Sequence, residues 1–149
     1  MKLNKFVFKL LCKLKIGEKC LVHVPSDSMW PLIDINDQLI IQKTNIGNIN
    51  KYDVIVFYSN EFKKLIVHRI TNIKKIDNNI QLTTKGDNNP QKDKEFIKKE
   101  NLLGKVIWIK NKKIRLDKYN YSWLSFSLNN EIFRKIKQKL FYFIYNSRF

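Results

Sequence analysis

Asp53-Val54-Ile55-Val56-Phe57-Tyr58 and, after a polar break, Leu65-Ile66-Val67-His68-Arg69-Ile70-Thr71 are the stretches from which the architecture follows. Both are short runs of β-branched, aliphatic and aromatic residues bounded by Asn, Asp, Gly and Lys, the pattern of strands rather than loops. Working outward, runs of the same kind occur at 20–24, 37–43, 80–84, 105–109 and 112–116. Seven short strands joined by turn-rich connections predict a mainly β fold with a partly coiled antiparallel sheet. They do not fit the regular alternation of strand and helix that builds a parallel sheet. Asn78-Asn79, between Ile76 and Ile80, reads as a tight turn joining two of these strands, because Asn tolerates left-handed backbone.

The two ends follow a different period. Leu3, Phe6, Val7, Leu10, Leu11 and Leu14 recur at helical spacing with Lys2, Lys5, Lys9 and Lys13 on the opposite side, and Gly17 reads as the stop. Beyond Asp117 the helical period returns. Ile132, Ile136, Leu140 and Ile144 are four apart, with Arg134, Lys135, Lys137 and Lys139 beside them, and 140–145 is apolar or aromatic throughout. That end is expected either to pack on the domain or to enter a membrane interface. The organisation expected is a basic amphipathic helix at 1–17, a β domain at 18–117 and a basic, aromatic helical extension at 118–149.

A chain of 149 residues has the size of one domain. Its 29 Lys and Arg against 13 Asp and Glu give a formal net charge of +16, which calls for anionic partners. Cys12 and Cys20 fit neither a disulfide scaffold nor a four-ligand zinc site, so a reducing compartment is expected. No segment reaches the roughly 18 apolar residues of a membrane span, and the start lacks a secretory cleavage pattern. No metal or nucleotide motif is visible, so no cofactor and no metal are expected.

Three segments carry candidate chemistry. Ser26-Asp27-Ser28-Met29-Trp30-Pro31 directly follows the first predicted strand, where a hydroxyl can be held and aimed. A serine in such a loop usually caps a turn, so residue type alone decides nothing. His68 lies in a strand whose alternation puts it on the face opposite Val67 and Arg69, and imidazole is the side chain best suited to general-base work near neutrality. His23, the other histidine, has no motif around it and reads as structural. Thr84-Lys85-Gly86-Asp87-Asn88-Asn89-Pro90, followed by Asp93, supplies two carboxylates, either of which could orient an imidazole.

Taken in order, Ser-x-Ser-Met-x-Pro at 26–31, Tyr52-Asp53-Val54-Ile55-Val56-Phe57, Val67-His68-Arg69-Ile70, the Thr84–Asn89 segment with Asp93, and Leu103-Gly104-Lys105-Val106 resemble the successive boxes of type I signal peptidases. These serine peptidases belong to the signal peptidase and LexA superfamily, also classed S24/S26. The resemblance covers about residues 22 to 109 and is closest to the branch with a histidine in place of the lysine base. It implies Ser28 as nucleophile, His68 as general base, Asp93 as the acidic partner with Asp87 as the fallback, and Ser26 with the Ser28 amide as the oxyanion hole. Two departures stand out: Asp27 replaces the usual glycine between the serines, and Lys51-Tyr52-Asp53 replaces a Gly-Asp turn.

The function implied is that of a serine endopeptidase cutting a signal or leader-like segment of a peptide or protein substrate through an acyl-enzyme. Cleavage after small residues of an extended segment is part of that implication. No transmembrane anchor is seen, so the chain resembles short, anchorless relatives. It is expected to be cytoplasmic or peripherally associated with an anionic membrane through its basic end helices. The alternative is a catalytically idle module of the same fold that holds membrane or nucleic acid. Nucleic acid is disfavoured, because no helix-turn-helix precedes the core and the base differs from the lysine of LexA-type repressors.

Overall fold

The computed structural model describes residues 8–77, 79–118 and 131–146. Among them every predicted run is a strand, with shifted ends: β1 (Lys19–His23), β2 (Gln38–Gln42), β3 (Val54–Ser59), β4 (Lys64–Ile76), β5 (Asn79–Lys85), β6 (Leu102–Ile109) and β7 (Ile114–Arg115). They form one antiparallel sheet in the order β1-β2-β6-β3-β4-β5, with β7 paired to β6. The register shifts at Ile40/Ile41, Val56/Phe57 and between Ile70 and Asn72. Such bulges bend strands and raise the local twist, which coils the sheet.

Strand β3 explains why its sequence is continuously apolar. Val54 and Val56 join one buried cluster with Leu39, Ile41, Leu103 and Val106, whereas Ile55 and Phe57 join another with Ile70, Leu82 and Ile97. A strand covered on both faces has no solvent face on which to alternate polar residues. Strand β6 begins three residues earlier than predicted because Leu102 and Gly104 pair with Phe57 and Val56. Gly104 looks like a breaker in sequence, yet a Cβ there would lie 2.5 Å from the Gln42 carbonyl oxygen, so only glycine lets β2 and β6 approach.

Two turn expectations are corrected. Ile76 already pairs with Asn79, so Asn79 is a strand residue, and it is Asp77 that takes the left-handed conformation at φ 51°; Asn78 lies outside the described residues. Gly17 does not cap the N-terminal helix. Helical backbone among the described residues covers 8–12, and Gly17, at φ 90°, serves a separate turn in which its N–H donates to the Lys43 carbonyl.

Leu11 and Phe141, from the two ends of the chain, are both buried in the first cluster, beside Met29 and Leu32 of the loop that follows β1. The C-terminal helix, Glu131–Asn146, packs on the domain through Phe141, a residue of its apolar end at 140–145. Ile136 and Leu140 are exposed, and the side chains of Ile132 and Ile144 lie outside the described residues.

Leu39→Ala, at a side chain with no exposure, is expected to cost about 2–5 kcal/mol, whereas Leu21→Ala on the exposed side of β1 should stay within about 0.5 kcal/mol. Urea unfolding of both variants measures the difference.

Candidate active site

Ser28 follows β1 in a tight turn closed by the Trp30 N–H donating to the Asp27 carbonyl (2.9 Å). Met29 next to it is buried in the first cluster, which anchors the loop from below and leaves Ser28 half-buried and accessible. His68 comes from β4, opposite Ile55 in register, with its ring edge-on to Phe57 (centroids 6.2 Å apart). Alternation puts it on the face away from Val67, which packs on the first cluster. Asp93 comes from the segment after β5, where its backbone N–H donates to the Thr84 carbonyl (2.9 Å).

These three side chains meet. His68 Nε2 lies 3.2 Å from Ser28 Oγ, and His68 Nδ1 lies 2.6 Å from Asp93 Oδ2. An ionised carboxylate can only accept, so Nδ1 carries the ring proton and Nε2 is left as acceptor for the serine hydroxyl. Ser26 Oγ stands 3.4 Å from Ser28 Oγ, on the exposed rim of the same site. The arrangement can deprotonate a hydroxyl and place a second hydroxyl beside it.

Of the two candidate carboxylates, Asp93 is the one set against the imidazole. Asp87 is committed elsewhere: its Oδ1 and Oδ2 accept from Arg69 Nε (2.8 Å) and Nη2 (2.7 Å), and both side chains are buried. Sequence reading missed this pair, although an arginine inside the apolar strand run 65–70, next to the candidate base, was a signal. It also missed Thr84, whose hydroxyl donates to Asp93 Oδ2 at 2.6 Å, the same oxygen that receives His68. Thr84 is fully buried, and a donor at the end of a strand is not distinguishable by sequence from any other strand threonine.

Burial alone would raise the Asp93 carboxyl, but the His68 ring, the Thr84 hydroxyl and the Lys85 charge outweigh it and hold Asp93 below the ordinary carboxylate range. Burial pushes the Lys85 ammonium down, with the Asp87 charge opposing it.

The turn after β5 grips the serine loop directly. The Asn88 N–H donates to the Ser28 carbonyl (2.9 Å), the Asn88 side-chain amide donates to the Asp27 carbonyl (3.3 Å), and the Asp87 N–H points at Met29 Sδ (3.4 Å). A Cβ on Gly86 would lie 2.6 Å from the Ser28 carbonyl oxygen. Asp27, which replaces the usual glycine, is exposed and leaves the contact between the two serines intact.

Ser26, Ser28, His68 and Asp93 open into one cavity of about 520 Å3 whose remaining wall is largely apolar, with Val24, Met29, Phe62, Leu65 and Val67. Residues 10–140 match the family model of signal peptidase, peptidase S26. The chain belongs to the signal peptidase family. No curated protein sequence matches it. Serine peptidase activity is the general character of the S26 signal peptidases, and the mainly β, antiparallel fold agrees with that membership. His23, read as structural, is an exposed residue at the end of β1. Among the described residues no cluster of His, Cys, Asp and Glu suits a metal ion, and no helix is long and apolar enough to cross a membrane.

Two outcomes follow from this geometry. Asp87→Asn leaves the buried Arg69 guanidinium without its counter-charge, facing only neutral acceptors such as the Tyr52 carbonyl (2.9 Å), and is expected to lower stability by about 3–5 kcal/mol in urea unfolding. The depressed Asp93 carboxyl contributes stability that is complete above its unfolded pKa of about 3.9 and is lost as pH falls through its lower folded value. The gap in Tm between wild type and Asp93→Asn should therefore be widest near neutrality and close below about pH 4.

Proposed function

We propose that the protein is a serine endopeptidase of signal peptidase type, in the histidine-containing branch, that cleaves a signal or leader-like segment of a peptide or protein substrate. The observation that carries this reading is the Ser28–His68–Asp93 chain of contacts at 3.2 and 2.6 Å, opening into a largely apolar cavity. An idle binding module would have no use for a serine, a correctly oriented imidazole and a half-buried carboxylate in a chain of contacts.

Ser28 Oγ attacks the scissile carbonyl carbon while its proton passes to His68 Nε2. Asp93 keeps the ring in the required tautomer and stabilises the imidazolium that forms. The negative charge on the former carbonyl oxygen is met by the Ser26 hydroxyl and the Ser28 amide, donors that act where charge develops. The C–N bond then breaks, His68 gives its proton to the departing amine, and an ester to Ser28 remains. Water, deprotonated by His68, attacks that ester and releases the carboxylate as Ser28 recovers its proton. An apolar groove beside the serine suits an extended segment bound through its backbone, with side chains alternating toward the wall.

Ser28→Ala and His68→Ala are expected to abolish cleavage of a peptide library, and Ser26→Ala to lower kcat/KM on the order of a hundredfold with KM little changed. Wild-type turnover that survives Ser28→Ala would exclude the acyl-enzyme route.

A further inference from the structure

The C-terminal helix presents two apolar faces. Phe141, 2% exposed, is the side chain it inserts into the core. At 100° per residue, Ile136, Leu140 and Phe143 fall within about 60° of one another on the side away from Phe141. They are 43%, 47% and 72% exposed. Packing on the domain has thus left, among the described residues, an exposed apolar stripe at i, i+4 and i+7. The exposed Lys135 and Lys139 lie along one side of it.

We propose that this stripe docks on an anionic phospholipid surface, with the helix lying in the plane of the interface. The charge of the surroundings selects that occupant. The helix carries Arg134, Lys135, Lys137 and Lys139 against a single acid, Glu131, and residues 8–17 carry Lys9, Lys13 and Lys15 against none. The two segments meet at one core cluster through Leu11 and Phe141, so both basic ends lie over the same face of the sheet. Leu10 and Ile16 of the N-terminal segment are exposed as well, at 47% and 54%. A second copy seated on the stripe would bring two basic helices face to face on chains of +16 each, which like charge opposes. A lipid surface supplies phosphates for the lysines and an acyl boundary for Leu140 and Phe143 together. The proposal is independent of the peptidase reading, and its readout does not use activity.

Co-sedimentation of the full chain with phosphatidylcholine vesicles, with and without phosphatidylglycerol, tests it. Wild type is expected to bind the phosphatidylglycerol vesicles at least about tenfold more tightly than pure phosphatidylcholine, and to lose that preference in molar salt. The double variant Leu140→Asp/Phe143→Asp should lose at least about tenfold in affinity, with far-UV circular dichroism and Tm unchanged. Ile76→Asp, at an exposed apolar residue at the end of β4, should bind as wild type does. Equal binding by wild type and the double variant, an Ile76→Asp loss as large as that of the double variant, or indifference of wild type to both vesicle types overturns the proposal. A wild-type dimer that the double variant converts to monomer, without vesicle binding, overturns it too and assigns the stripe to self-association.

Discussion

The buried ion pair between Arg69 and Asp87 is the constraint on which the rest of the site depends. Arg69 follows His68 in β4, and Asp87 follows Gly86 in the turn after β5. Two parallel hydrogen bonds between them fix the spacing of the histidine strand and that turn, and the third bond, from Arg69 Nη1 to the Tyr52 carbonyl, ties in the entry to β3. The turn in turn holds the Ser28 carbonyl through the Asn88 N–H. Neither member of the pair belongs to the serine, histidine and carboxylate chain, yet both lie between His68 and Asp93 in sequence. A buried guanidinium with all its strong partners satisfied is costly to desolvate and costlier to break, so its value here lies in a fixed geometry rather than in net stability.

That division of labour explains why Asp93 and Asp87 cannot exchange places. Both are carboxylates within one turn-rich segment, and both are drawn toward β4. Asp87 is fully buried and faces a permanent cation in a bidentate fork, a geometry that suits rigidity. Asp93 keeps 18% of its side chain exposed and shares one oxygen between His68 and Thr84. It faces a ring whose charge can change, and the Thr84 hydroxyl keeps that oxygen in place whichever charge state the ring holds.

How much of this was legible in sequence follows from the range of each interaction. The strands are set by local composition, so 53–58 and 65–71 were readable where they stand, and only their ends moved. Ser28, His68 and Asp93 became candidates through the order of their motifs; as single residues a loop serine and a strand histidine are commonplace. Asp87 was read as a fallback partner for the imidazole because chain distance alone cannot tell which buried group a carboxylate will meet. Gly17 was misread, and Gly104 left just outside its predicted strand, for a related reason. Gly104 answers to the backbone of β2 across the sheet, Gly17 to the Lys43 carbonyl, and neither need is local. The C-terminal helix had apolar residues on more than one side, so its period alone could not say that Phe141 would turn inward.

The sheet order raises a last physical question. Ser28 hangs from β1 and His68 sits on β4, which are four strand positions apart in the order β1-β2-β6-β3-β4. At about 4.8 Å per position a flat sheet would separate them by roughly 19 Å, yet the two side chains are 3.2 Å apart. The loop after β1 closes part of that gap by turning back over the first cluster through Met29 and Leu32, and coiling of the sheet closes the rest. The register shifts lie in the β2–β6, β3–β6 and β4–β5 pairings, between the serine's strand and the histidine's and just beyond it, where bulges add twist and bend a sheet. The contact between serine and histidine is therefore a product of sheet curvature.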